Sequence, residues 1–289
     1  MVTDAHLVGL VGAGIGGSLS PLLHEHEAAA HGLRFAYRLL DIDCFRMTPA
    51  DAGRLVREAA RLGFTGFNVT HPCKLTVLDA LDGISEDAHA LGAVNAVVVE
   101  DGRLMGHNTD HAGFRAGLQE GLPGAALGTV VLVGAGGAGA AVAHALALAG
   151  VRSLLVADAE AARADGLARA MALHHEDLAV QSIAVDVVPE CLGGADGVVN
   201  ASPVGMVGHP GTPLDVDALA PRHWVADVIY RPLETQLVKA ARAVGCAVLD
   251  GGWMAAAQAA DSFELFTGHV ADRARMRADF LRLTAVQAA

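Results

Sequence analysis

Three groups of residues in this 289-residue chain have types and spacings suited to chemistry. In "GFNVTHPCK", Asn68, Thr70 and Lys74 fall within seven residues. Asn95 lies in "GAVNAVVV", and Asn108, Thr109 and Asp110 close "GHNTD". Taken singly, these are turn residues and a surface lysine. Taken together, after Val- and Phe-rich strands, they can line one cleft at the C-terminal edge of a sheet, where open α/β sheets bind ligands. The remaining group is a pair of glycine runs, "GAGIGG" at Gly12, Gly14 and Gly17 and "GAGGAG" at Gly134, Gly136 and Gly139. Both fit Gly-x-Gly-x-x-Gly, a turn whose backbone can approach a pyrophosphate.

The two runs differ in context. The second follows the apolar "VVLV" and leads into the small-residue helix "AAVAHALALAG"; the next strand, "SLLVAD", ends on Asp158. Strand, turn, helix and an acid about 20 residues on are the context of a dinucleotide site, which is expected here; a structural glycine turn is the plainer alternative. The first follows "LVGLV", but its helix opens with Ser18, Ser20 and Pro21. Two hydroxyls beside free N–H groups at a helix start suit a polyol or a carboxylate. A Ser20 that only caps the helix is the plainer alternative. The first run is therefore expected to open a substrate loop that happens to spell the nucleotide pattern.

Positioning these residues requires α/β architecture. Strand-like runs ("HLVGLVG", "FAYRLLDID", "FTGFNVT") alternate with helix-like ones ("SPLLHEHEAAAHG", "PADAGRLVREAARLG", "HPCKLTVLDALDG"). Ser20 is placed as a helix cap with Pro21 first in the helix. "AVNAVVVEDGRLMGHNTD" reads as a hairpin turning at Asp101-Gly102. Beyond "HAGFRAGLQEGLPG" the alternation resumes, and from about Trp253 the chain is helical. Strict alternation on either side of about Asp110 predicts two α/β domains with mostly parallel sheets.

Composition narrows the class. A formal net charge of -12, with no cluster of Lys and Arg, argues against nucleic acid. Hydrophobic residues make up 53% and aromatic ones 4%, so the core is mostly Ala, Val and Leu. Cys44, Cys73, Cys191 and Cys246 form no C-x-x-C pair, which points to reduced thiols rather than disulfides or a metal site. The N-terminus lacks a signal-peptide pattern, so a cytoplasmic location is expected. The stretch Gly121–Val151 has no charged residue, but eight glycines and Pro123 break it, so it reads as buried strand, turn and helix and not as a membrane span. His24-Glu25-His26-Glu27 is not H-E-x-x-H and reads as a solvated helix face, with no metal.

The ordered motifs "SLSP", "GFNVTHPCK", "GAVNAV", "GHNTD", "GAGGAG", "NASPVGM", Tyr230-x-Pro-x-x-Thr235 and "GGWMAAAQA" resemble the shikimate/quinate dehydrogenase family over nearly the whole chain. The resemblance implies oxidation of a secondary alcohol on a cyclohexane or cyclohexene carboxylate. It also implies a substrate-binding and catalytic domain at 1–112 plus 252–289, an NAD-binding domain of Rossmann type at 113–251, and a cleft between them. Lys74 and Asp110 match the catalytic pair. Ser18, Ser20, Asn68, Thr70, Asn95, Tyr230 and Gln258 match substrate-binding positions. Gly134, Ala135, Gly136, Gly137, Ala138, Asp158, Arg163, Ser202, Met206, Val228, Gly251 and Met254 fall in or beside the motifs of the cofactor site. A group within hydrogen-bond reach must take the hydroxyl proton as hydride leaves, and a lysine beside an aspartate can do so.

Two departures refine the resemblance. Biosynthetic members usually carry "P-x-x-H-S" before the serine pair, where this chain has "GIGGS". They also usually carry "N-R-T/S" after the second strand of the nucleotide domain, where this chain has Ala157-Asp158-Ala159. An acid there accepts from a free 2′-OH and repels a 2′-phosphate, so NAD is favoured over NADP. Both departures resemble the actinobacterial NAD-dependent quinate/shikimate dehydrogenases, although that branch often has Thr at the position of Ser20. Arg163 keeps an NADP-dependent biosynthetic enzyme in view, together with an aminoshikimate-type enzyme and a non-catalytic sensor. The resemblance is compatible with a homodimer and implies no nucleic-acid or membrane partner.

Overall fold

The computed structural model describes residues 5–288, which form two compact units, 5–109 with 258–288, and Asp110–Ala257. The strands of the first unit are β1 (Ala5–Gly12), β2 (Arg34–Asp41), β3 (Gly66–Val69), β4 (Gly83–Ile84), β5 (Ala96–Glu100) and β6 (Arg103–His107). Those of the second are β7 (Thr129–Val133), β8 (Ser153–Ala157), β9 (Ala179–Ile183), β10 (Gly197–Asn200), β11 (Trp224–Asp227) and β12 (Ala247–Leu249). The helices are α1 (Ser20–Ala30), α2 (Ala52–Arg61), α3 (Glu86–Leu91), α4 (Asp110–Gly121), α5 (Gly137–Ala149), α6 (Ala161–His174), α7 (Val188–Cys191), α8 (Gln236–Val244), α9 (Gly251–Thr267) and α10 (Arg273–Ala288).

The first sheet has the order β2-β1-β3-β5-β6-β4. β1 runs parallel to β2 and β3, while β5 runs antiparallel to β3 and β6. Asp101 and Gly102 both take positive φ, +50° and +78°, as the tight hairpin between β5 and β6 requires. The second sheet, β12-β11-β10-β7-β8-β9, is parallel throughout. That is the doubly wound Rossmann order, with its switch point between β7 and β10. Its central strands β7, β8 and β10 are mostly apolar because helices cover both faces, while the edge strand β9, with Gln181 and Ser182, is not. Val130, Leu132, Leu154 and Val198 are fully buried, each worth about 1.5–3 kcal/mol relative to exposure. Among the described residues, no helix is long and apolar enough to cross a membrane. The uncharged stretch becomes β7, the glycine turn and α5.

Three local expectations are corrected. Ser20 is the first residue of α1 rather than its cap; Leu19 is the cap residue, with no side-chain cap bond. The helix expected in "HPCKLTVLDALDG" is a series of turns with one 3-10 turn at Leu78–Ala80. Short-range turn bonds such as Leu78 N–H to Leu75 O satisfy much of it, and two of its groups pair outside: Val94 N–H donates to Lys74 O, and the Thr76 hydroxyl to Pro49 O. The run His24–Glu27 is not a solvated face, because His24 and Glu27 are both 1% exposed. His24 lies among the rings of Phe35, Tyr37, Phe263 and Phe266, and burial pushes its imidazole down to about 3, so it is neutral. Glu27 accepts from Arg275 Nε at 2.8 Å and Nη2 at 2.6 Å, and from Asp272 N–H at 2.8 Å.

The units part at 109/110 and 257/258 rather than at 112/113 and 251/252. The beginning of α9 packs against α4: a Cβ on Gly117 would lie 3.0 Å from that of Trp253, and one on Gly121 would meet Leu249 and Trp253.

The Glu27–Arg275 pair gives a stability prediction. Burial alone would raise the Glu27 carboxyl; the Arg275 guanidinium, the Asp272 N–H and His31 outweigh it and hold the group below its usual range. Removing the guanidinium strands a buried carboxylate. Arg275→Ala should cost about 3 kcal/mol in urea unfolding near neutral pH, whereas a loss within about 0.5 kcal/mol would show that the pair carries little.

Candidate active site

The site in the first unit grows from a close approach of two loops. A Cβ on Gly12 would lie 2.4 Å from Thr70 Cγ2 and 3.0 Å from His71 O, so only glycine lets the end of β1 pass this close to "THP". Ala13 N–H donates to His71 O at 3.1 Å and Thr70 N–H to Val11 O at 2.9 Å. The loop after β1 is thereby held beside the segment that carries Asn68, Thr70 and Lys74. Within that loop, Ser18 Oγ donates to Ser20 Oγ at 3.2 Å, and Ser20 hydrogen-bonds the buried Tyr37 hydroxyl. Because Ser20 does not cap α1, its hydroxyl belongs to this side-chain chain.

A buried polar network continues from there. Tyr37 donates to Asn68 Oδ1 at 2.8 Å, and Asn68 Nδ2 donates to Ser262 Oγ at 3.0 Å. Ser262 lies on α9 and donates to Gln258 O at 2.9 Å. Thr109 Oγ1 reaches the same carbonyl at 3.1 Å, while Asn95 Oδ1 accepts from Thr109 N–H at 2.7 Å. Asn68 is thus joined to Ser20 through Tyr37 and to the Gln258 carbonyl through Ser262, two residues the sequence did not single out, and Asn95 joins the same carbonyl through Thr109. Lys74 is half-buried just beyond β3, and Asp110, 7% exposed, begins α4 at the point where the chain leaves the first unit.

The two glycine loops each face a strand-end carboxylate. Asp41, ending β2, accepts from Gly14 N–H at 3.2 Å, Ile15 N–H at 3.0 Å and Asp43 N–H at 3.1 Å. The first loop is therefore filled by the protein's own anion. Asp158, just after β8, accepts from Ala135 N–H at 2.7 Å and Glu160 N–H at 2.9 Å, and remains half-exposed.

The second loop is built differently. Gly134 has φ +107°, and a Cβ there would lie 2.5 Å from Ala201 C and Ser202 N. This is where the loops after β7 and β10 meet, at the switch point. At Gly136 and Gly137 an added Cβ would meet nothing within 4 Å. These two residues form the cap and first residue of α5, whose leading N–H groups and dipole favour an anion. The loop is packed tight at Gly134 and open at Gly136, as a pyrophosphate cradle must be.

The other expected cofactor positions fall around the same sheet edge or away from it. Ser202 donates through N–H and Oγ to Asn200 Oδ1 at 3.0 and 2.7 Å, and Met206, 42% exposed, follows it in the loop. Val228 N–H donates to Asn200 O at 3.0 Å. Gly251 is a packing glycine, since a Cβ would meet Ile229 O at 2.3 Å. Met254 packs against the core under β7 and α5. Arg163 is paired with Glu160 at 2.8 Å on the surface. Tyr230 is 42% exposed after β11.

Sequence reading missed the carboxylate that ties these loops. Asp227 ends β11 and is 2% exposed. It accepts from Thr235 Oγ1 at 2.7 Å, Ile229 N–H at 3.0 Å and Asn200 Nδ2 at 3.1 Å. Burial pushes its carboxyl up to about 6, against the pull of those bonds. The signal was its place at a strand end of the Rossmann sheet, opposite Asn200.

Two predictions follow from this geometry. Gly134→Ala should destabilise the fold by about 2–5 kcal/mol through positive φ and overpacking. Gly136→Ala should leave stability within about 1 kcal/mol while weakening nucleotide binding; comparable losses of stability in both would contradict the cradle. For Asp227, a carboxyl raised above its unfolded value stabilises most when protonated, so the contribution is present below about pH 4 and lost as pH rises through about 6. A rise of about two units corresponds to about 3 kcal/mol. Asp227→Asn should remove that loss between about pH 5 and about pH 7.5; a pH dependence of unfolding unchanged from wild type would show that Asp227 does not titrate there.

Comparison with known proteins agrees with this architecture. Residues 10–97 match the family described as the shikimate dehydrogenase substrate binding domain, and residues 251–278 match the shikimate 5'-dehydrogenase C-terminal domain. The chain is 54% identical to a shikimate dehydrogenase (NADP(+)) of Streptomyces avermitilis, covering 100% of this chain and 99% of that one. It is 51% identical to a quinate/shikimate dehydrogenase (NAD(+)) of Corynebacterium efficiens, covering 97% and 99%. The solved quinate dehydrogenase of Corynebacterium glutamicum in complex with NAD superposes with a TM-score of 0.92 at 48% identity, covering 96% of this chain and 99% of that one. With identities this high over essentially full lengths, the chain belongs to the shikimate dehydrogenase family.

Proposed function

We propose that the protein is an NAD-dependent dehydrogenase that interconverts quinate, shikimate or both with the 3-dehydro compound. The observation that carries the reading is the second glycine loop: open at Gly136 and Gly137, closed at Gly134, and flanked by half-exposed Asp158. Related proteins are named for NAD and for NADP in turn, so the strand-end residue has to decide. Asp158 has oxygen lone pairs for a ribose hydroxyl and a charge that repels a 2′-phosphate. The Arg that usually meets that phosphate lies in a run that is Ala157-Asp158-Ala159 here, and Arg163 pairs with Glu160 on the surface.

In this reading Gly134 to Ala138 and the start of α5 hold the pyrophosphate, with Asp158 on the adenosine ribose. Ser202, Met206, Val228, Gly251 and Met254 border the same sheet edge. When bound, NAD supplies the acceptor for the hydride from the alcohol carbon. Ser18 and Ser20 take the substrate's carboxylate, and Asn68, Thr70, Asn95, Tyr230 and Gln258 take its hydroxyls. Lys74 and Asp110 hold the reacting hydroxyl and carry away its proton as the ketone forms, so alcohol and NAD yield ketone, reduced cofactor and one proton. The lysine ammonium also stabilises negative charge that develops on that oxygen. The substrate is a small anion from solution, and nothing in this reading calls for a nucleic-acid or membrane partner.

An initial-rate matrix tests this, with NAD and NADP each against quinate and shikimate. NAD with at least one acid should exceed the matching NADP rate in kcat/KM by tenfold or more. Asp158→Ala should narrow the cofactor ratio, and Lys74→Ala should lower kcat by about 100-fold or more. A higher rate with NADP, or an unchanged ratio in Asp158→Ala, would overturn the cofactor assignment; no turnover of either acid by folded protein would overturn the substrate.

A further inference from the structure

Asn68 is an expected substrate residue whose side chain is held by other side chains on two sides, and neither neighbour, Tyr37 nor Ser262, belongs to the expected site. Tyr37 donates to its Oδ1, and its Nδ2 donates to Ser262 Oγ at 3.0 Å and toward Asn95 O at 3.4 Å. Tyr37, Asn68 and Ser262 are 2%, 7% and 0% exposed. We propose that Tyr37 and Ser262 are positioning residues that fix the Asn68 amide in one orientation, so that it meets the substrate only as a hydrogen-bond acceptor. The proposal rests on the quinate/shikimate reading of this site.

The hydrogen-bond inventory enforces the orientation. Ser262 has two other partners for its single proton, Gln258 O at 2.9 Å and Thr109 Oγ1 at 3.1 Å, so toward Asn68 it accepts. The Asn95 carbonyl already accepts from Val69 N–H and can never donate. Both groups on that side therefore require the amide nitrogen. On the other side, Tyr37 takes a bond from Ser20 and gives its own proton to Asn68. Burial raises the phenol well above its ordinary range, so that proton stays. A flipped amide would set oxygen against the Asn95 carbonyl and force the Tyr37 and Ser20 hydroxyls to reverse, at a cost typical of buried unpaired groups.

The consequence is selectivity. With both amide hydrogens used, Asn68 has one oxygen lone pair left. The ligand group meeting it must donate, as a hydroxyl or an amine does and a ketone or ether does not. The chain also separates two tasks. A carboxylate arriving at Ser18 and Ser20 can draw the Ser20 proton away from Tyr37, because Tyr37 needs that bond only as an acceptor. The bond from Tyr37 to Asn68 is unaffected, so carboxylate capture leaves the amide in place.

The test uses the full chain with shikimate and a set of analogues each lacking one ring hydroxyl. Wild type should lose tenfold or more in kcat/KM on the analogue that lacks the hydroxyl facing Asn68. In Tyr37→Phe, and separately in Ser262→Ala, that penalty should shrink to threefold or less through a higher KM for shikimate, with the other analogues keeping their wild-type ratios to one another. A merely structural role would lower all substrates by one common factor, and that result overturns the proposal. Thermal melting of Tyr37→Phe in wild type and in Asn68→Ala gives a readout that needs no turnover. The substitution should lower Tm by about 2–4 °C in wild type and not in Asn68→Ala; equal losses in both overturn the proposal. If wild type turns over neither acid, the substrate reading fails, and the melting cycle still decides whether Tyr37 acts through Asn68.

Discussion

In each unit a strand-end carboxylate accepts hydrogen bonds from a glycine loop, and the difference between these two carboxylates governs the rest. Asp41 takes three backbone N–H groups and is 9% exposed, so the loop it faces has no anion left to attract. Asp158 takes two and stays half-exposed, beside a helix start whose glycine positions face open space. A fixed internal negative charge makes the first loop a structural turn that delivers Ser18 and Ser20. The second loop keeps the dipole and unpaired N–H groups that favour a phosphate. The same local motif thus serves two purposes, set by what the following strand places against it.

The first unit relies on buried polar groups that are satisfied by one another. Burying an amide or hydroxyl without a partner costs about 1–3 kcal/mol. The chain from Ser18 through Ser20, Tyr37, Asn68 and Ser262 to Gln258 O, with Asn95 and Thr109 beside it, leaves few such costs. It also joins residues far apart in sequence, from β2, β3, the start of β5 and α9. A network of this kind tolerates little displacement, which suits a pocket that must present hydroxyl partners at fixed places. In the second unit Asp227, Asn200 and Thr235 do the equivalent for the loops after β10 and β11.

Much of this was legible in the sequence because the signals were local. Apolar runs, glycine turns and the Asp101-Gly102 hairpin each depend on a few consecutive residues, and so do the Rossmann loop and the acid at Asp158. What escaped depends on distant partners. The segment after Lys74 has a helical look, yet Val94 takes the Lys74 carbonyl and Pro49 the Thr76 hydroxyl, and the rest closes in tight turns. His24 and Glu27 look solvated until α10 supplies Arg275 and the aromatic residues of α9 and β2 close over the ring. Tyr37 and Ser262 carry no motif at all; their meaning comes from Asn68, at a sequence separation of 194 residues from Ser262. Asp41 had a signal that could have been used. It ends the strand after the first glycine run, as Asp158 does after the second.

The claim that one glycine loop is a nucleotide cradle and the other is closed by its own carboxylate is tested most directly by binding stoichiometry. Isothermal titration of the full chain with NAD, without substrate, should give one site per chain, and Gly136→Ala should weaken that site while the protein remains folded. Two sites per chain, or a single site indifferent to Gly136→Ala, would contradict the account.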